Sequence, residues 1–344
     1  MMKRFTMLTA VFVLFAVNAR SQETAPLKLV QTLKLPADVK GNFDHFGIDL
    51  KTNRLFTTPE EYKAVVVYDL KTGKLIHTIG GISKPHAILF RGDVNRIYVT
   101  DGTAGDLKIF DGTTYALLSS VKLLEDADSI GYDPATKLLY VDNGGGDVHQ
   151  TYSMLSVVDT TAGKKVADIK IDGETLEAMA LETSSPKIYV NNRAKNQVDV
   201  VDRNKRELAA SWPVTKCKVN VAMSLDEAHH RLFVACRSGQ IAVIDTGTGK
   251  EVNALPITKG VDDIVYDAAS KRLYASCDGD VSVYGQTDPD KYKLLGKIST
   301  GPMGRTARLV PELNRYFVAV PQHTVTAGEK QSTKSAEILV FEVH

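Results

Sequence analysis

"VDDIVYDAASKRLYASCDGDVSVYGQTDPDKYKLLGKI", residues 261–298, contains four short runs rich in β-branched and aromatic residues: "VDDIVYD", "KRLYASC", "DVSVYG" and "YKLLGKI". Asp, Gly, Ser or Pro separate them, the residues that turn a chain. No run is long enough for a helix, so they read as strands A to D of one antiparallel sheet.

The unit repeats along the chain. Run B recurs as "NRLFTT" (53–58), "NRIYVTD" (95–101), "KLLYVDN" (137–143), "KIYVNN" (187–192), "HRLFVAC" (230–236), "KRLYASC" (271–277) and "NRYFVAV" (314–320). Run C ends at Asp69, Asp111, Asp159, Asp202, Asp245, Gly285 and Glu342, at intervals of 42, 48, 43, 43, 40 and 57. A period in the low forties with four strands per unit is that of propeller blades, and the last interval holds an inserted loop. In turns such as "DLKTGK" and "DTGTGK" the Asp accepts backbone N–H groups and the Gly supplies a positive φ. The final unit stops after "ILVFEVH" with no fourth strand, while "LKLVQTLKLP" (27–36) has a strand D pattern and no blade of its own. Pairing the two closes the ring and removes free sheet edges. The expected architecture is all-β: one seven-bladed β-propeller over 26–344, with blades at about 41–83, 84–125, 126–173, 174–217, 218–260, 261–302 and 303–344, completed by the strand at 27–36.

"RIYVTD", "LLYVDN" and "KIYVNN" resemble the YVTN β-propeller repeat, and the chain as a whole resembles the exported seven-bladed YncE-like proteins. The resemblance implies the fold and export. It leaves function open, because rings of this size also carry lactonases and quinoprotein subunits.

The N-terminus, "MMKRFTMLTAVFVLFAVNARSQE", joins Lys3 and Arg4 to an apolar run and small residues. This reads as a secretory signal peptide over 1–19, cleaved near Ala19; its apolar run is too short to span a bilayer. The mature chain is expected in a periplasm or outside the cell. The formal charge of +1 becomes −1 once Lys3 and Arg4 leave, and with no basic run nothing points to nucleic acid. Cys217, Cys236 and Cys277 allow at most one disulfide, formed if two Cα atoms come within about 7 Å.

"DEAHHRLFVAC" (226–236) looks like a metal cluster, but His229 and His230 fall in an A-to-B loop while Cys236 ends strand B. Six strand residues at about 3.3 Å each separate them across the ring. The aspirant site lies instead at the start of the strands A, on the top face. Counting twelve residues back from the strand B aromatic of each blade gives Asp44, His86, Asp128, Glu177, Val221, Asp262 and Arg305; neighbouring positions add His45, Asn220 and Asp263. The ends of the strands B are expected at the same face with Asp101, Asn143, Asn192, Cys236, Cys277 and Asp278, overhung by the loops 143–153 and 321–335 with His149 and His323. "DNGGGD" could cradle an anion, but no helix follows it to add its dipole, and a flexible turn explains it better.

A water-filled channel tolerates a polar lining without any function. The converging carboxylates, histidines and arginine equally suit a ligand site. The leading expectation is a non-enzymatic propeller that binds a small molecule or an envelope protein at the channel mouth, as a monomer without a membrane span. The alternatives are a lactonase-like or other metal-assisted hydrolase and a structural envelope or surface protein. In the hydrolase, Asp128, Glu177 or Asp262 holds a divalent cation or acts as base, His86 or His45 assists, and Arg305 stabilises negative charge. No catalytic residue, cofactor or metal ligand set is legible beyond that.

Overall fold

The computed structural model describes residues 25–327 and 330–344, so the expected leader lies outside the described residues. The chain forms seven four-stranded antiparallel sheets, and in blades 1 to 6 the strand order within each sheet follows the sequence. Strands A are Phe43–Asp49, Pro85–Arg91, Ile130–Asp133, Leu176–Leu181, Asn220–Asp226, Asp263–Asp267 and Thr306–Val310. Blade 7 takes its outer strand from the other end of the chain. Leu27–Lys34 pairs antiparallel with Glu337–Val343, with Leu27 opposite Val343 and Lys34 opposite Glu337, which closes the ring as the sequence predicts.

The core is divided into seven slabs, one at each junction between neighbouring blades, the last joining blade 7 to blade 1. A blade packed on both faces buries both sets of alternating side chains. The middle strands are therefore near-continuous apolar runs: "RLFVAC" and "QIAVID" are buried at almost every position. The strand B aromatics Phe56, Tyr98, Tyr140, Tyr189, Phe233, Tyr274 and Phe317 are at most 2% exposed, and each contributes about 1.5–3 kcal/mol by leaving water. Strands D form the outer rim, where Leu75, Ile76, Leu117 and Leu118 stay exposed.

The turn chemistry is as the sequence predicts. The backbone N–H groups of the C-to-D turns donate to Asp69, Asp111, Asp159, Asp202 and Asp245. Gly73, Gly163 and Gly249 close three of these turns at positive φ, and Tyr115 and Arg206 adopt the same conformation in blades 2 and 4. The long B-to-C connection of blade 7 is more regular than a loop: His323–Ala327 and Lys330–Lys334 form a two-stranded hairpin. Cys217 and Cys236 form a disulfide with Cα atoms 5.9 Å apart, and Cys277 is free and buried.

Candidate functional site

Four of the strands A begin with an irregularity. Register shifts occur between Phe43 and Phe46, Pro85 and Ile88, Leu176 and Met179, and Asn220 and Ala222. A bulge frees residues from ladder pairing and re-aims their side chains. The freed residues are Asp44 with His45, His86 with Ala87, Glu177 with Ala178, and Val221. The bulge is thus the local reason that this repeat position reaches the channel mouth in blades 1, 2, 4 and 5, while in blades 3, 6 and 7 Asp128, Asp262 and Arg305 precede a strand A without a bulge.

The mouth is a cavity of about 400 Å³ lined by residues of all seven blades. Of the sequence candidates, Asp44, His45, His86, Asp128, Glu177, Asp262, Asp263 and Arg305 all line it, as does Val221. Asn220 does not. It pairs with Cys236 beside the bulge, is fully buried, and donates from its amide to Asn191 Oδ1 at 2.9 Å and the Gln197 carbonyl at 3.0 Å. The strand B ends also turn away from the mouth: Asp101 accepts the N–H groups of Ser83 and Lys84, Asn143 accepts that of Leu124, and Asn192 donates to the Asp172 carbonyl. Their job is to hold the connections between blades.

The overhanging loops correct the sequence reading further. Gly146 and Asp147 reach the cavity, but His149 is exposed outside its lining and His323 bonds the Pro321 carbonyl. The Gly144 and Gly146 amides are taken by the carbonyls of Glu125 and Glu174, so "DNGGGD" forms a turn rather than an anion cradle. His229 bonds Asp226 in the A-to-B turn of blade 5, apart from Cys236 and its disulfide.

On one side of the mouth, acids and histidines form a chain. His86 Nδ1 bonds Asp44 and lies 3.6 Å from Asp128; His45 lies 3.3 Å from Asp44 and 3.9 Å from Asp263. The His86 ring packs against Gly102, where any Cβ would come within 2.7 Å of it, so only glycine admits the imidazole; its Nε2 has no partner. Burial pushes His86 down, but Asp128 and Asp44 outweigh it and raise the imidazole to about 10. Burial likewise opposes the charged His45, which Asp44 and Asp263 raise. Asp44 is the ionised member: burial alone would raise it, yet His45 and His86 hold it well below the usual range. Asp128 goes the other way, raised well above the ordinary value by burial and by Asp44. Behind it Asp142 is 2% exposed, with neither carboxyl oxygen hydrogen-bonded, and is also raised by burial and by Asp128.

The opposite side carries the arginines. Arg193 donates to Glu177 at 2.8 Å, and Arg237 and Arg305 approach the two oxygens of Asp262 at 2.6 Å and 3.3 Å. Burial lifts Glu177 to about 7 against the Arg193 hydrogen bond, and lifts Asp263 to about 7 against His45. The sequence reading missed Arg193 and Arg237, along with Glu60, Lys84, Asp126, Asp147 and Glu174. Each arginine is the first residue after its strand B, one step past the position that was inspected. Oxygens of Asp44 and Asp128 and a nitrogen of His45 lie within 4.8 Å of one another, close enough to ligate one metal ion.

No protein-family profile matches the chain. It is 28% identical over 133 residues to the uncharacterized protein YncE of Salmonella typhimurium strain LT2, and 27% identical over 133 residues to that of Salmonella typhi. In both comparisons the match spans 37% of this chain and 37% of the relative. A chain in the crystal structure of a mitotic checkpoint complex superposes with a TM-score of 0.73 at 12% identity, covering 99% of both chains, a likeness of fold alone. No helix among the described residues is long and apolar enough to cross a membrane. The chain is thus a seven-bladed β-propeller that is similar to YncE over 37% of its length.

Proposed function

We propose that this is an exported propeller whose channel mouth binds a small polar ligand, without turning it over. The observation that carries the reading is the lining: fifteen of the twenty-five residues around the cavity are ionisable, and they converge from separate blades. The acid–histidine chain on one wall and the arginines on the other suit a ligand with hydroxyl or amine donors on one side and an acceptor on the other. The Cys217–Cys236 disulfide supports export, since such bonds persist in oxidising compartments. Native mass spectrometry of protein from its own host, beside Asp128→Asn and Asp262→Asn, tests it. A bound mass present in the wild type and lost in the variants supports the reading. No bound mass, together with no thermal shift from a panel of amino acids, sugars and divalent ions, overturns it.

The second reading, metal-assisted hydrolysis, is favoured by the ligating distances among Asp44, His45 and Asp128. Glu177, at about 7, is poised as a base near neutral pH. Zinc, manganese or calcium that stabilises the wild type, reversibly with chelator, and a lactone panel turned over only with that metal would favour this reading over the first.

A further inference from the structure

Below the mouth one residue breaks the repeat. In strand A, the position that pairs with the strand B aromatic is small or apolar in blades 1 to 6, with Gly47 in blade 1 and Gly131 in blade 3. In blade 7 it is Arg308, opposite Phe317. Although rooted in blade 7, Arg308 lines a cavity of about 230 Å³ whose other walls belong to the strands A of blades 1, 2 and 3, including Phe46, Ile88 and Tyr132. Its side chain therefore reaches into the channel. A further cavity of about 200 Å³ is lined by Arg308 and also by His45, Ser129 and Asp263 of the mouth, so mouth and waist are continuous.

The arginines of the mouth are all paired with carboxylates. Arg308 makes no hydrogen bond and no ion pair among the described residues. Its side chain is exposed to solvent in the channel, and desolvation by the surrounding protein lowers its pKa against the pull of Asp263 and Glu312. A guanidinium carries five N–H donors in a planar fork, and here the protein satisfies none of them.

We propose that Arg308 is a carboxylate-binding site at the waist of the channel, which takes an organic monoanion with an apolar body. One fork matches one carboxylate through two parallel hydrogen bonds. Phe46, Ile88, Ile130 and Met179 surround it with apolar surface. A dianion such as phosphate needs a second cation, whereas the charged groups acting on Arg308 are the carboxyls of Asp263 and Glu312. The inference goes beyond the mouth reading and does not rest on it, since its cation, Arg308, lies outside the lining of the mouth even though the two cavities share His45, Ser129, Ala178 and Asp263.

The test is calorimetric titration of the whole mature chain, its R308Q variant and its R308K variant with benzoate, benzamide and inorganic phosphate. Benzoate should bind the wild type, R308Q should weaken it about tenfold or more, and R308K should fall between, because the charge remains without the fork. Benzamide and phosphate should bind more weakly than benzoate. Absence of benzoate binding up to about 10 mM, affinity unchanged in both variants, or phosphate binding as well as benzoate each overturns the proposal. Arg308 has no protein partner to lose, so both variants should melt no lower than the wild type without ligand. If R308Q does not fold, R308K alone decides: undiminished benzoate binding refutes the site and weakened binding supports it.

Discussion

His86 and Asp44 show how a single pair sets the chemistry of the mouth. The imidazole sits at about 10 through Asp128 and Asp44 despite its burial, so it is a cation at neutral pH. In Asp44→Asn, one of the two carboxylates is gone, and NMR titration should place the His86 imidazole at least one unit lower, toward its ordinary value of 6.5. An unchanged titration would mean that Asp128 alone carries the shift. At this scale the sequence was informative wherever a residue's place in the repeat fixed its direction. The mouth residues freed by bulges were found by counting, because the bulge recurs. Asn220 was misplaced because it sits one residue before a bulge, where ladder pairing resumes and the side chain turns inward. Arg193 and Arg237 were missed because their reach depends on side-chain length and on the acids opposite, which spacing does not record.

Among the elements, the closing strand Leu27–Lys34 carries the clearest energetic prediction. Leu33 is 3% exposed within the slab between blades 7 and 1, while Val30 on the same strand is 43% exposed. Leu33→Ala should cost about 2–4 kcal/mol in urea unfolding, and Val30→Ala less than about 0.5 kcal/mol. The disulfide offers a second check. Cys277 is the free cysteine and is buried, so thiol titration should find none in the folded protein, one after unfolding, and three after unfolding with reductant. Cys217→Ser should lower stability by about 2–4 kcal/mol, since the bridge closes a loop of 19 residues. The closing strand was legible as a strand D pattern lacking a blade. The disulfide was not, because three cysteines at the same end of neighbouring blades allow more than one pairing, and only the fold brings Cys217 and Cys236 within 5.9 Å.

For the whole molecule, the mouth determines how stability depends on pH. Glu177 and Asp263, at about 7, hold protons in the folded state that the unfolded chain has released by then, so stability falls as pH rises from about 4.5 to 7. His86 contributes stability that is complete below 6.5 and lost as pH rises through about 10. Asp44 acts in the opposite direction, contributing above 3.8 and losing it as acid protonates its carboxylate. Denaturation across pH should therefore show a maximum between about 4 and 5, on the acid side of neutrality. Glu177→Gln with Asp263→Asn should flatten the fall up to pH 7, and His86→Gln the fall beyond it. A maximum above pH 7 would contradict the assigned shifts.

The strand pair that completes the ring also has a mechanical character. Leu27 stands opposite Val343 and Lys34 opposite Glu337, so the start of the first strand and the end of the last lie side by side. Tension applied between those ends pulls the two strands apart from one end, and the hydrogen bonds yield in turn as in a zipper instead of resisting together in shear. The join that makes the ring continuous against heat is thus loaded in its least resistant direction by a pull on the termini.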